Sequence, residues 1–461
     1  MSVADRDAIV VGGGLAGLTA ARELAQAGLA VTVLEASDRV GGRLLRQEVA
    51  GIPVDGGGAW VGPTQDRILA LIQRFGLRTQ PTWTRGRQIA KVRGLIRARS
   101  GDLPPVPVRA LADVAIARWR LDRLARGTAT RAPDRDLDRR SLGSWADKHL
   151  HTHAARALLD VAVATTTGAA TDELSLLAFL RHVDSAGGFE QLVGVEGAAQ
   201  DRRIVGGAVS VCERLAEELG EAVRLGARVS AVGQEDGRAI VGTEGDSLAA
   251  NAVVVALDPS LRSRIDFGPG LPREQRSLQA GWVMGTGLKY HLAYRSPFWR
   301  ERGLSGQWFA DEGLARIGFD ATPDGADAGV LVGFVGLADA GPDEAPLLEP
   351  GRAEDRRARI CAELTSLFGD AAAESLDYVE QDWRSEPDIA GCVPAPPPGV
   401  LAEAGADTHR AWGRVFWAGA ESAERWEGHM DGAARSGERA AAEVIAALGQ
   451  RGVGSASDRG G

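Results

Sequence analysis

Ala8-Ile-Val-Val11 runs directly into Gly12-Gly-Gly14-Leu-Ala-Gly17, and Ala30-Val-Thr-Val-Leu34 then ends in Glu35. The first apolar run has the β-branched content of a buried parallel strand. The glycines follow as G-x-G-x-x-G. Leu15, Leu18, Ala21 and Leu24 then share one helical face, up to Gly28. Each part has a physical task. Gly12 permits the tight turn, Gly14 lets backbone N–H groups approach a pyrophosphate, and Gly17 lets the helix pack on the strand. The helix N-terminus favours negative charge. Glu35 is placed to accept hydrogen bonds from an adenosine ribose, and its charge disfavours a 2′-phosphate. A structural turn would explain a lone G-x-G-x-x-G. Strand, glycines, helix, second strand and acid in this order predict dinucleotide binding instead. Beyond the acid comes Arg39-Val-Gly41-Gly42-Arg43. Two more glycines allow a second close backbone approach, and Arg43 can pair with phosphate bidentately. That addition favours FAD over NAD.

The rest of the chain sets limits around this motif. Its 461 residues predict two or three domains. Its 62 acids against 53 bases give a formal charge of −9, which argues against a general nucleic-acid binder. An apolar content of 44% is enough for a large core and argues against disorder. Cys212, Cys361 and Cys392 are too few and too sparse for a disulfide framework. No signal-peptide pattern opens the chain, and no run approaches the roughly 18 apolar residues of a membrane span. A cytoplasmic protein without a transmembrane anchor is expected. Arg109–Arg126 reads as a basic amphipathic helix; a solvated outer helix is the expectation, and contact with an anionic membrane surface the alternative. His149, His151 and His153 alternate, so on a helix they diverge, and no metal site is expected from them.

The segment Glu35-Ala-x-x-Arg39-x-Gly41-Gly42-Arg43 resembles the signature of the flavin amine oxidases. Ile52-Pro-Val-Asp-Gly56-Gly57-Gly58-Ala-Trp60-Val-Gly62-Pro-Thr64, followed by a helix from Asp66 to Phe75 with Thr64 as N-cap, is similar to the monoamine oxidase segment that covers the flavin. A helix Val209–Leu219, a strand Val223–Val232 and the run Val253–Leu257 look like the second part of the cofactor unit. Gly287-Leu-Lys289-Tyr290 resembles the segment with the flavin-facing lysine. Val415-Phe-Trp-Ala418-Gly419-Ala-Glu421, with Trp426, Gly428-His429-Met430 and a helix 433–448, resembles the last flavin-binding segment. The resemblance covers roughly residues 5–450 in the family's order. It implies an α/β fold: a Rossmann-like FAD-binding domain, a parallel sheet with helices, interleaved with an α+β substrate-binding domain. The expected divisions are 1–80, 203–280 and 405–461 for the first, and 81–202 and 281–404 for the second.

The resemblance also implies the chemistry. Such enzymes take a hydride equivalent from the carbon beside a neutral amine nitrogen, and O2 then yields hydrogen peroxide. The resulting imine hydrolyses to a carbonyl. The expected cofactor is FAD, held by Gly12, Gly14, Gly17, Glu35, Arg43, Gly57, Gly58, Trp60, Gly419, Glu421 and Met430. Lys289 is expected to face the flavin and assist the oxygen half-reaction. Cys392 falls where monoamine oxidases carry their flavin-linking cysteine, so a covalent link is expected, against the alternative of an ordinary buried thiol. Both expectations gain from rarity, since the chain has only three lysines and three cysteines. Gln200, Val393, Trp426 and His429 would line the substrate cavity. Here the sequence departs from the family. Monoamine oxidases sandwich the amine between two tyrosines, and this chain has Val393 and His429 at those places. A neutral His429 could accept a hydrogen bond from the substrate or take its proton, making it a catalytic candidate with Lys289. Three readings follow. One is an amine oxidase acting on a small amine with O2. The second is a specialised oxidase or dehydrogenase acting on an amino acid, cyclic amine, amide or C–C bond. The third is a flavin-loaded binding protein without turnover. A homodimer is left open.

Overall fold

The structure is a computed structural model and describes residues 6–336, 341, 343–406 and 408–457. Its first sheet grows from the strand Arg6–Val11. Val31–Leu34 lies parallel on one side, with Val223–Arg224 beyond it, and Asp246–Val255 lies parallel on the other. The outer edge of Asp246–Val255 is shared. Its first half pairs antiparallel with Arg238–Thr243, which continues to Val229–Glu235, while Val253–Val255 pairs parallel with Val415–Trp417. Strands buried on both faces need apolar side chains throughout, and Ala8–Val10 and Val253–Val255 are fully buried. The helix Leu15–Gln26 packs against the C-terminal helix Met430–Ser457. Glycine permits this approach, because a Cβ on Gly437 would lie 2.4 Å from the Ala16 carbonyl oxygen.

A second seven-stranded sheet runs Asp377–Asp382, Gly287–Tyr294, Gly329–Gly336, Ile317–Asp320, Leu304–Ala310, Arg87–Val92 and Leu95–Ser100. Only Leu304–Ala310 and Arg87–Val92 pair parallel. Helices Val108–Ala125, His153–Thr167 and Leu176–Ala186 share one core beside it, with Trp145 and Phe179 inside. A parallel sheet with helices interleaved with an α+β portion is thus the architecture. Among the described residues no helix is long and apolar enough to cross a membrane.

Four local expectations are corrected. Val223–Val232 is two strands in different places, because Gly226 turns the chain with φ +65°. The helix after Gly207 begins at Ser210. Thr64 does not cap the helix Asp66–Arg74. Gln65 occupies the cap position without a side-chain bond, and the free N–H groups of Arg67 and Ile68 go to Asp431 Oδ1 at 2.7 and 3.1 Å. The last helix starts at Met430 and continues to Ser457 rather than spanning 433–448.

Candidate active site

A cavity of about 600 Å³ lies between the two sheets. Its floor is backbone. Gly12 has φ +104°, and a Cβ there would meet the Ala256 carbonyl at 2.9 Å. A Cβ on Gly14 would have only Gly42 Cα within reach, at 4.0 Å, so this pair of glycines opens a smooth channel. Gly17 stands behind the lining, its Cα pressed onto the Gly12 carbonyl, as helix–strand contact requires. The helix Leu15–Gln26 begins without a side-chain cap, and Leu15 and Ala16 line the cavity. Their free N–H groups and the helix dipole suit a pyrophosphate. At the end of the next strand, Glu35 is 8% exposed. Its Oε2 accepts from Gly13 N and its Oε1 from Ser37 N and Oγ, which fixes a carboxylate on the cavity wall where a ribose could bond. These residues fit a dinucleotide such as FAD.

Arg43 lines the cavity and is also held from within the chain. Its Nη2 meets Glu421 at 2.5 Å and its Nη1 donates to the Cys392 carbonyl at 3.1 Å. Burial works against the guanidinium's charge, but Glu421 and Asp258 outweigh it and raise its pKa. Burial and Glu421 together push the Asp258 carboxyl up. A carboxylate as buried as Glu421 needs this counter-charge, so the fork is turned inward. Gly57, Gly58, Trp60, Gly419, Glu421 and Met430 all line the cavity. Gly57 has no room for a side chain: a Cβ would sit 2.0 Å from the Arg43 carbonyl and 2.9 Å from the Trp383 ring.

Lys289 occupies the middle of Gly287–Tyr294, opposite Phe334 and Gln381. It is 6% exposed; its Nζ donates to the Gly57 carbonyl at 2.8 Å and lies 4.9 Å from the Trp60 ring and 5.8 Å from Phe334. Burial lowers its pKa to about 8, against the pull of Asp55 and Cys392. Cys392 is half-buried on the same wall, and the bond from its N–H to the Gly285 carbonyl starts the short pairing of Met284–Gly285 with Val393–Pro394. Burial pushes its thiol up, while Arg43 and Lys289 pull it down.

Val393, His429 and Gln200 line the cavity as expected. Around them the wall is carried by Thr165, Val193, Ile317, Phe319 and Phe334, none charged. The Gln200 amide sits among the carbonyls near Leu192 and Val193. His429 Nδ1 faces the Glu427 carbonyl at 2.9 Å; the carbonyl can only accept, so Nδ1 carries the proton and Nε2 keeps its lone pair. Burial lowers the ring's pKa, opposed by that bond, so it stays neutral near pH 7. Trp426 is corrected. It is 1% exposed, does not line the cavity, and donates from Nε1 to the Thr64 carbonyl at 3.2 Å. A left-handed backbone at Trp426, φ +56°, turns the ring back into the core, edge-on behind His429.

The sequence reading missed His182. Its ring stacks on His429 at 5.3 Å, and burial lowers its pKa to about 3. Nothing local marks it, since Leu176–Ala186 is a plain apolar helix that reaches His429 only in three dimensions. Of the three alternating histidines, His149 bonds the Trp145 carbonyl and His153 faces Asp311, so they point to different partners.

The family model for flavin-containing amine oxidoreductases matches residues 15–445. The chain belongs to this family. It is 40% identical over 448 residues to AofH of Mycobacterium tuberculosis, named as a flavin-containing monoamine oxidase, covering 96% of this chain and 97% of that one. It is 34% identical to human flavin-containing amine oxidase B, covering 96% and 87%. A solved putrescine oxidase bound to putrescine superposes with a TM-score of 0.89 at 33% identity, covering 96% and 99%. Cyclohexylamine oxidase from Brevibacterium oxydans IH-35A gives 0.89 at 29%, covering 96% and 99%. This family member is therefore an oxidoreductase that converts amines to imines with O2, giving hydrogen peroxide, and its redox group is a flavin.

Proposed function

We propose that this amine oxidase uses FAD and acts on small, largely apolar monoamines. The observation that carries this reading is the buried Lys289, on the wall with Trp60 and Phe334, beside the uncharged Thr165, Val193, Gln200, Ile317, Phe319 and Val393. FAD, when bound, supplies the hydride acceptor and the reaction with O2. The chain supplies the rest. Gly12, Gly14, Gly42, Gly57, Gly58 and Gly419 allow close backbone approach, Gly17 seats the helix, Glu35 holds the ribose end, and Trp60 and Met430 close the far end. Arg43 and Glu421 position this floor as a neutral pair. Cys392 is the proposed covalent anchor.

The chamber also selects a protonation state. An ammonium would enter beside a lysine, with no carboxylate among the wall residues named above to balance it, so the neutral amine is favoured there. His429 Nε2 can accept an amine N–H bond and so orient the nitrogen. Lys289 could pair with an amino acid's carboxylate, and this is the specific support for the second reading, an amino-acid or related oxidase.

Anaerobic bleaching of the flavin absorbance against a panel of monoamines, diamines, amino acids and amides tests the proposal. Apolar monoamines should bleach fastest. Bleaching confined to amino acids or amides would overturn the substrate assignment.

A further inference from the structure

Twelve large hydrophobic side chains are exposed among the described residues, and seven of them fall between Leu95 and Leu124. An even spread over the chain would place far fewer in so short a stretch. The same region, 93–126, holds eight arginines against three aspartates, within a chain of formal charge −9. Two of the three acids are turned to structural work. Asp113 accepts from the His151 and Thr152 N–H groups, and Asp122 accepts from Phe189 N. Arg118 in turn pairs with Glu190 at 2.6 Å, and the remaining arginines leave the outward face with a clear basic excess.

The geometry is as unusual as the composition. Ala110, Ala117, Leu121 and Ala125 bury the inner side of the helix Val108–Ala125 in the same core that holds Ala90 and Val92 of the adjoining hairpin. On the outer side, Val108, Ile116 and Trp119 are 79%, 50% and 58% exposed at helical spacing. The Arg123 guanidinium lies 5.7 Å from the Trp119 ring. The strand Leu95–Ser100 is the edge of its sheet and is exposed at every position, carrying Leu95 and Ile96 beside Arg97 and Arg99. The Gln88 amide bonds the Gly101 and Leu103 carbonyls, which ties the connecting loop back onto the hairpin.

We propose that the outer surface of residues 93–126 docks this protein onto an anionic lipid bilayer. Arginines at the headgroup phosphates, with Trp, Ile and Val at the acyl boundary, match the two layers of such an interface in order. A second copy meeting this face would set positive charge against positive charge. A nucleic acid would leave the aliphatic side chains uncovered. Attachment is peripheral, since no described helix could span the bilayer.

The test is co-sedimentation of the flavin-loaded protein with vesicles of phosphatidylglycerol and phosphatidylcholine, against vesicles of phosphatidylcholine alone. Binding is expected only with the anionic lipid and should fall in high salt. Ile116→Ser with Trp119→Ser, and separately Arg97→Glu with Arg99→Glu and Arg123→Glu, should each weaken it by roughly tenfold or more. Amine oxidation in solution and melting temperature should stay unchanged, which separates lost docking from lost folding. Equal binding to both vesicles, no binding to either, or full binding by both variants would overturn the proposal. So would a dimer in solution that the Ile116/Trp119 variant dissolves.

Discussion

Arg43→Met and Glu421→Gln remove opposite ends of one buried ion pair, and their costs should differ. Arg43, Arg262, Glu421 and Asp258 form a neutral group beneath the cavity. Arg262 is 2% exposed, donates to the Leu257 and Ala418 carbonyls, and feels both acids. Arg43→Met leaves Glu421 and Asp258 sharing one cation. Stranding a buried charge in this way costs about 3–5 kcal/mol. Glu421→Gln leaves Arg43 and Arg262 sharing Asp258, but Arg43 is 26% exposed at its side chain and both guanidiniums keep backbone carbonyl partners, so the loss should be smaller, about 1.5 kcal/mol, the low end for a hydrogen bond to a charged group. The sign of the pH dependence follows from Asp258. Its carboxyl is already pushed up by burial and by Glu421, and losing Arg43 pushes it further. An acid whose folded pKa lies above its unfolded value binds more protons when folded, so stability falls as pH rises through that window. The Arg43→Met deficit should therefore be larger at pH 8 than at pH 5. Urea denaturation of both variants at the two pH values measures this. Equal losses, or a deficit independent of pH, would show that the quartet is not electrostatically balanced as described.

Three further outcomes are expected. Acid-precipitated wild-type protein should stay yellow and Cys392→Ala should release the flavin; a colourless wild-type pellet refutes the covalent anchor. Lys289→Met should slow the oxygen half-reaction in stopped flow while sparing anaerobic reduction, and the wild-type rate should titrate near pH 8, where the buried amine changes charge. His182→Phe should be relatively more stable than the wild type in acid. With a folded pKa of about 3 against roughly 6.5 unfolded, the wild-type ring refuses a proton that the unfolded chain accepts. Removing it should gain about 2 kcal/mol at pH 5 relative to pH 8, and melting curves with no such gap would contradict the buried neutral ring.

What could be read in advance was local or carried by backbone. The Gly12–Gly17 turn and the Glu35 strand end follow from sterics over a few residues, and they stand where the pattern put them. Lys289 was legible from the resemblance of its segment and from the rarity of lysine in the chain; the strand that bears it is buried on both faces. The misreadings share a cause of another kind. Trp426 was placed by its neighbours in the motif, but one left-handed residue reverses the side chain's direction. Thr64 had the right chemistry for a cap, but Asp431, remote in sequence, reached the same N–H groups. His182 meets His429 only after the helix bearing it packs beside the last segment.

The shared edge of Asp246–Val255 has a consequence during synthesis. Val253–Val255 emerges roughly 160 residues before its partner Val415–Trp417. At about 5–20 residues per second, that edge waits on the order of 10–30 s without its neighbour. Until then the central sheet offers a short, wholly apolar strand with unanswered N–H and C=O groups, which favours wrong pairing between nascent chains. The last stretch of the gene thus seals a sheet begun by the first. Recombinant yield should depend on how quickly translation reaches Val415, and on whether a chaperone covers that edge meanwhile.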